Sequence, residues 1–427
     1  MLPEKPSTQV TLPRTTLWRY QALLYLLAPV LVLFTLWQAI RYKDFRYCKQ
    51  RLGFGLTSLH RNPIWLHAAS VGEVIAAQPL INQLITAYAP CPVLITTVTP
   101  TGAAIVKQRF GDSVQHCYLP LDWRYATNRF LKRLSPRCAL MMETEIWPNL
   151  YRRCAANHAT LITINGRLSQ RTLKTPRWIR QLYRQTLQHS SAILCRSEQD
   201  TSAFITLGAD PKKIKTIGNL KFSATIPPGH SDTHPLNNQA FIVAASTHDN
   251  EETLLANLWC NSTFKNHILV IAPRHPQRTN TIKKQLKPIT AHIAIRSQGD
   301  VVNQQTRIYL ADTLGELTTF MQFADIVIMG GSFIPHGGHN ILEPALLAKA
   351  IVFGPYMHNF DDEARCFLQH DAAIQNDDIN ALEQTLCDLV KTPLKRQALG
   401  DRAKMLVESN RNIVNDYMRE ILQWVSK

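Results

Sequence analysis

Eleven short apolar runs, each followed by a segment long enough for a helix, constrain this chain more than anything else in it. They fall at 64–68, 93–97, 139–143, 160–164 and 192–195, and again at 241–244, 268–271, 293–295, 308–310, 326–329 and 351–353. A run that is apolar without alternating suits a strand buried on both faces, and a crossover helix is what joins two parallel strands. The alternation therefore predicts parallel sheets with helices on both faces. Between the two series, residues 226–238 (IPPGHSDTHPLNN) are polar and proline-rich and read as a connector. At 427 residues the chain has the length for two cores. The expectation is an α/β chain of two Rossmann-like domains facing each other across a cleft, divided as 1–50, 51–229 and 230–427. The last helix is placed so that it could pack back on the amino-terminal domain.

The first division holds residues 20–40 (YQALLYLLAPVLVLFTLWQAI), which include no charged residue. About 20 apolar residues is what a spanning helix needs. Tyr20, Tyr25 and Trp37 lie near the ends, where aromatic rings favour the headgroup level. Arg41, Lys43, Arg46, Lys49 and Arg51 follow the run, against Lys5, Arg14 and Arg19 before it, so a spanning helix would leave the body of the chain in the cytoplasm. Pro29 and the flanking glutamines leave open a helix lying in the interface, held by its basic flank. Either arrangement keeps the body at a membrane on its cytoplasmic side. A net charge of +16 points to a polyanionic partner: nucleic acid, an anionic membrane surface or a phosphorylated substrate. Nine cysteines without a C-x-x-C pair argue for reduced thiols and against a disulfide framework or a structural zinc site.

Ligands of open parallel sheets bind outside the carboxyl ends of the strands, and polar clusters fall there in both series. The first run leads into Ala69-Ser70-Val71-Gly72-Glu73. Ser70 and Glu73 have the spacing of a capping box. A carboxylate at this point could equally take the proton from an attacking hydroxyl, with Gly72 leaving room for a bulky substrate. Residues 139–142 lead into Glu143-Thr144-Glu145-Ile146-Trp147-Pro148-Asn149, where two carboxylates emerge from a buried run. Burial makes them costly unless paired, and Arg167 and Lys221 are the candidate partners. A structural ion pair is the plainer reading.

In the second series Pro273-Arg274-His275-Pro276 follows a buried run, and Arg274 offers a planar fork for phosphate or carboxylate. Ser246-Thr247-His248 and Asp312-Thr313-Leu314-Gly315-Glu316 complete the rim. The run at 326–329 opens into GGSFIPHGGHNILEPA, residues 330–345. A strand, a glycine-rich turn and a helix starting at Leu342 would present backbone N–H groups to a phosphate, and Glu343 could accept from a ribose diol. A tight turn with Asn340 as helix cap is the simpler alternative. His336-x-x-His339 has no third ligand at a telling spacing, so no metal is expected.

Taken in order, these motifs, with Asn165-Gly166-Arg167-Leu168-Ser169 and Gly218-Asn219-Leu220-Lys221-Phe222, closely resemble those of the 3-deoxy-D-manno-octulosonic acid (Kdo) transferases of lipid A assembly. The resemblance runs from the amino-terminal apolar run almost to the end. It departs from the usual family residue at Leu314 (methionine), Ile341 (proline), Ser223 (aspartate) and Asn250 (glycine). It implies a GT-B-type glycosyltransferase with an amino-terminal membrane-anchor helix, catalytic domains on the cytoplasmic face of the inner membrane, and no cofactor. The reaction it implies passes Kdo from CMP-Kdo to a lipid A precursor with inversion. By that resemblance Glu73 is the general base, and Glu143 and Lys221 stabilise the transition state. Pro273, Arg274, Leu314, Gly315, Glu316, Asn340, Ile341, Leu342 and Glu343 hold CMP. A nucleotide-sugar epimerase of the same architecture is the alternative enzyme, though it has no need of a membrane segment. A basic protein binding membrane or RNA by charge alone is the non-enzymatic one. It would not require carboxylates at strand ends, and with no aromatic-rich RNA-binding motif present, no nucleic acid partner is expected.

Overall fold

The computed structural model describes residues 14–223, 233–262, 264 and 266–425, so Lys5 and the 226–232 part of the connector lie outside the described residues. The chain divides into two compact units, Met1–Ser223 with Asn412–Lys427, and Ala224–Arg411. Each is built on one parallel sheet.

In the first unit the strands are β1 (Ile64–His67), β2 (Val93–Thr97), β3 (Gln115–Tyr118), β4 (Cys138–Met142), β5 (Thr160–Gly166), β6 (Ala192–Cys195) and β7 (Ile214–Thr216). They lie in the order β3-β2-β1-β4-β5-β6-β7, every neighbour parallel. The order reverses between β1 and β4, which opens a crevice at the carboxyl ends of those two strands. All residues of β1, β2 and β4 are buried, which is why these stretches read as apolar without alternation. Trp65 meets Phe130 edge-on at 5.0 Å, in a core with Leu94 and Met141.

The second unit contains β8 (Phe241–Thr247), β9 (Ile268–Pro273), β10 (Ile293–Ile295), β11 (Ile308–Leu310), β12 (Ile326–Met329), β13 (Ala350–Phe353) and β14 (Ile374–Gln375). Their order is β10-β11-β9-β8-β12-β13-β14, again all parallel. Here the reversal falls between β8 and β12. Trp259 stacks on Phe264 at 4.8 Å over Ile242, Leu269 and Ile328.

The final helix, Ile413–Val425, belongs to the first unit. Its Tyr417 hydroxyl donates to the Gly218 carbonyl at 2.9 Å and accepts from the Asn165 N–H at 3.2 Å. That one side chain ties β5 to the loop leading to Lys221.

The amino-terminal apolar run corrects an expectation. It forms two helices, Arg14–Leu26 and Ala28–Arg41, bent by 53° where they meet. Among the described residues no single helix is long and apolar enough to cross a membrane. Pro29 explains the break, since it has no N–H to give the preceding turn and its ring crowds the carbonyl four residues back. The first helix is also stitched to the body. Tyr20 donates to Asp122 at 2.8 Å, Thr16 to Gln185 at 2.7 Å, and Gln21 to Asn149. Arg51, counted from the sequence with the basic flank, is buried and donates to the Leu119 carbonyl at 2.6 Å.

Candidate active site

Glu73 stands in the first turn of the helix Val71–Tyr88, directly beyond β1. Its carboxylate accepts from the Ala69 N–H and the Ser70 hydroxyl, both at 2.8 Å, while its own N–H reaches Ser70 Oγ at 3.4 Å. Ser70 therefore caps this helix, and Glu73 reaches back to the N–H one residue before the cap. This role does not exhaust Glu73, because burial, and then the nearby charge of Glu143, push its pKa up to about 7. A carboxylate held there is matched to proton transfer near neutral pH. A side chain at Gly72 would meet nothing within 4 Å, so the space beside Glu73 is open.

Glu143 leaves the end of β4 with φ +53°, a left-handed conformation uncommon for a residue with a Cβ. Strain of this kind collects at functional sites. Glu145, two residues on, accepts from Trp147 Nε1 at 2.7 Å and pairs with His67 Nε2 at 3.3 Å. His67 is fully buried, its Nδ1 lying 2.8 Å from Thr96 Oγ1, which in turn accepts from Trp65 Nε1. Against the cost of burial, the hydrogen bond and charge of His67, with Trp147, hold the Glu145 carboxyl below its usual range. His67 and Trp147 are partners of Glu145 that the sequence did not suggest. The Arg167 carbonyl accepts from Thr144. Lys221 lies on the short turn Leu220–Ser223, which Asn165 Oδ1 fixes by accepting from the Leu220 N–H at 3.0 Å. Glu73, Glu143 and Glu145 thus converge on the β1/β4 crevice.

A pH dependence follows from Glu73. A carboxylate can act as a base only when ionised, and with its pKa raised Glu73 is protonated below about 7. The expected kcat/KM falls as pH drops through about 7 and levels above it. A profile flat down to pH 5 would exclude Glu73 as the titrating base.

In the second unit a cavity of about 140 Å³ opens at the ends of β8 and β9, lined by Ser246, Pro273, Arg274, Thr313, Leu314 and Gly315. A wider hollow of about 460 Å³ near Tyr356 and Arg365 carries none of the expected site residues. Four of the nine residues expected to hold CMP therefore share the smaller cavity. Glu316 is not among its lining residues; it pairs with Arg296 at 2.6 Å and accepts from Thr313. Ahead of the helix Leu342–Leu346, Asn340 Oδ1 accepts from the Leu342 N–H at 3.1 Å, and its amide donates to Glu343 at 3.2 Å. This helix is little more than one turn long. Burial raises the Glu343 pKa, opposed by Asn340 and by the charge of Arg274. The side chains of Ile341 and Leu342 are buried, which leaves only their backbone to meet a ligand.

The glycine-rich turn after β12 corrects a second expectation. The N–H groups of Gly331, Ser332 and Phe333 do not await a phosphate, because they donate to the carboxylate of Glu251. Gly330 has a separate cause: a Cβ there would lie 2.4 Å from the Ser246 carbonyl oxygen.

The third histidine that His336 and His339 lacked in sequence is His248, from the end of β8. His248 Nε2 and His339 Nε2 lie 2.7 Å apart, and the His248 and His336 rings stack at 3.6 Å. The three candidate ligand atoms fall within 4.8 Å of one another. Two nitrogens around tetrahedral zinc stand roughly 3.3 Å apart, so the close pair is a hydrogen bond between neutral rings rather than a ligand pair. Burial, and for His339 next the charge of Arg274, push the pKa of both His248 and His339 down to about 4.

A family model described as 3-deoxy-D-manno-octulosonic-acid transferase (kdotransferase) matches residues 46–224. A Haemophilus influenzae protein named 3-deoxy-D-manno-octulosonic acid transferase is 31% identical over 409 residues, covering 92% of this chain and 96% of its own. The chain belongs to this family. It is thereby a glycosyltransferase, and the epimerase alternative is not favoured. Among solved structures, a glycosyltransferase from Rickettsia africae superposes with a TM-score of 0.58 at 14% identity, covering 86% of this chain and all (100%) of that one. A UDP-GlcNAc 2-epimerase from Neisseria meningitidis, bound to UDP-GlcNAc, gives 0.56 at 13% identity, covering 84% and 100%. At such identities both likenesses speak for the GT-B-like fold alone.

Proposed function

We propose that the chain moves Kdo from CMP-Kdo to a hydroxyl of the phosphorylated disaccharide of a lipid A precursor. The observation that carries the mechanism is Glu73, a carboxylate with a pKa of about 7 beside open space at the β1/β4 crevice. Glu73 takes the proton of the acceptor hydroxyl as its oxygen bonds to the anomeric carbon. The bond from that carbon to the CMP phosphate breaks on the opposite face, which inverts the centre. Glu143 faces the positive charge that develops on the sugar, and Lys221 the negative charge on the departing phosphate. In the second unit Arg274, with Pro273, Leu314 and Gly315, forms the nucleotide pocket, and the turn at Asn340 and Glu343 adds polar contacts. Release of CMP should accelerate many-fold when lipid A precursor is added. Equal release with and without acceptor would mean hydrolysis, and this reading would be wrong.

The bent helix pair supplies the membrane contact in this reading. Tyr25, Leu26, Leu33, Phe34, Trp37 and Ile40 are exposed on it, and Arg41, Lys43, Arg46 and Lys49 follow. An apolar face with a basic flank lies in the interface of an anionic leaflet, here the cytoplasmic face of the inner membrane. Because Tyr20 and Thr16 bond to the body, deleting the pair should destabilise the first unit, so point changes are the cleaner test. Leu33→Ser, Phe34→Ser and Trp37→Ser together should weaken binding to anionic vesicles by about tenfold or more at an unchanged melting temperature. Unchanged vesicle binding in a folded triple variant would remove the pair from the membrane contact.

A further inference from the structure

Glu251 is wholly buried at the start of the helix Glu251–Asn261, following Asn250 in the left-handed conformation at φ +69°. Asparagine is among the few residues besides glycine that tolerate that conformation. The turn aims the Glu251 carboxylate across the end of β8 at the loop after β12. Oε2 accepts from Gly331 N–H at 2.6 Å and His248 N–H at 3.3 Å. Oε1 accepts from Ser332 N–H at 3.2 Å and Phe333 N–H at 3.1 Å. One side chain therefore satisfies four backbone donors from two loops that are about eighty residues apart in sequence. A run of N–H groups turned inward at a strand end is an anion nest of the kind that holds phosphates. Here the protein has filled it with its own anion.

We infer that Glu251 is a positioning residue of the donor site. Its carboxylate occupies the place a phosphate would take in the glycine-rich turn, and so fixes the loop carrying Ser332, His336 and His339 against His248. This rests on the donor reading above and deepens it. The nucleotide phosphate is excluded from the turn, because a second anion there would face a buried carboxylate, and it is met instead by Arg274. Arg274 is held at the end of the neighbouring β9 by its N–H to the Thr247 carbonyl at 3.0 Å. Glu252, next in sequence, serves differently: it pairs with Arg278 at 2.9 Å and does not touch the loop.

The test combines hydrogen–deuterium exchange over residues 331–333 with calorimetry of free CMP, on the full chain. In the wild type these amides should be protected without ligand, and adding CMP should not change them. Glu251→Gln puts an amide N–H₂ against backbone donors, so exchange at 331–333 should speed up. CMP binding should weaken by about tenfold, the size expected when buried donors lose their acceptor. The KM for lipid acceptor should stay as it was. Glu252→Gln should leave exchange at 331–333 unaltered. CMP binding as tight or tighter in Glu251→Gln would mean that Glu251 only blocks a phosphate site. Protection of 331–333 that arises in the wild type only with CMP would overturn the inference even if the variant does not fold. A wild type that binds no CMP would remove the donor reading instead, while ligand-free exchange still reports whether Glu251 holds the loop.

Discussion

Glu73→Gln should fold like the wild type and turn over on the order of a hundredfold more slowly or worse. Glutamine keeps a carbonyl oxygen to accept from Ala69 N–H or Ser70 Oγ, so the capping function largely survives the change. What it loses is the capacity to take a proton. The acid limb of the pH profile should vanish with the rate, because the group raised to about 7 is gone. If Glu73 were only a cap, the variant would lose no more than about 1 kcal/mol of stability and keep its activity. Steady-state kinetics alongside a melting curve separate the two outcomes.

Arg274→Ala should weaken CMP binding by about thirtyfold or more, the loss expected when a charge-assisted contact to phosphate is removed. Among the described residues, Arg274 is the one cation lining the cavity that also holds Pro273, Leu314 and Gly315. Its charge also acts on His339 and Glu343, so its removal should let the His339 pKa rise from about 4, with Glu343 rising further. A lysine should restore only part of the affinity, since it cannot reproduce the planar fork. Unchanged CMP affinity in Arg274→Ala would move the nucleotide elsewhere in the second unit.

Much of the fold was legible because parallel strands buried on both faces are apolar at nearly every position, and β4, β9 and β12 show it. The strands that escaped notice are β3 (QHCY), β7 (IKT) and β14 (IQ), all at sheet edges. An edge strand has a partner on one side only and can carry polar residues, so its sequence need not stand out. Glu143 and Arg274 were legible for a related reason: a charged residue immediately after a buried run sits at the carboxyl end of a strand, where ligands bind, and Glu73 stands in the helix turn that follows such a run. Groups that act across the chain were not. His67 reads as the end of a strand, and nothing in the sequence singles out Tyr417 or Glu251. Only the fold brings Tyr417 to Asn165 and Glu251 to Gly331. A buried run does lead to a turn residue and then two acids, Glu251 and Glu252, but nothing in it points to the glycine-rich loop. The amino-terminal run misled in a different way. Its hydropathy is that of a spanning helix, while Pro29 and the polar groups of Thr16, Tyr20 and Gln21 decide that it bends and docks.

The most direct measurement is the mass of the lipid after incubation with CMP-Kdo, the CMP released being counted in the same reaction. A Kdo transferase gives a lipid A precursor heavier by whole Kdo residues, one CMP appearing for each, and neither signal above background in Glu73→Gln. CMP released without any gain in lipid mass, or full transfer by the Glu73→Gln protein, would contradict the roles assigned here.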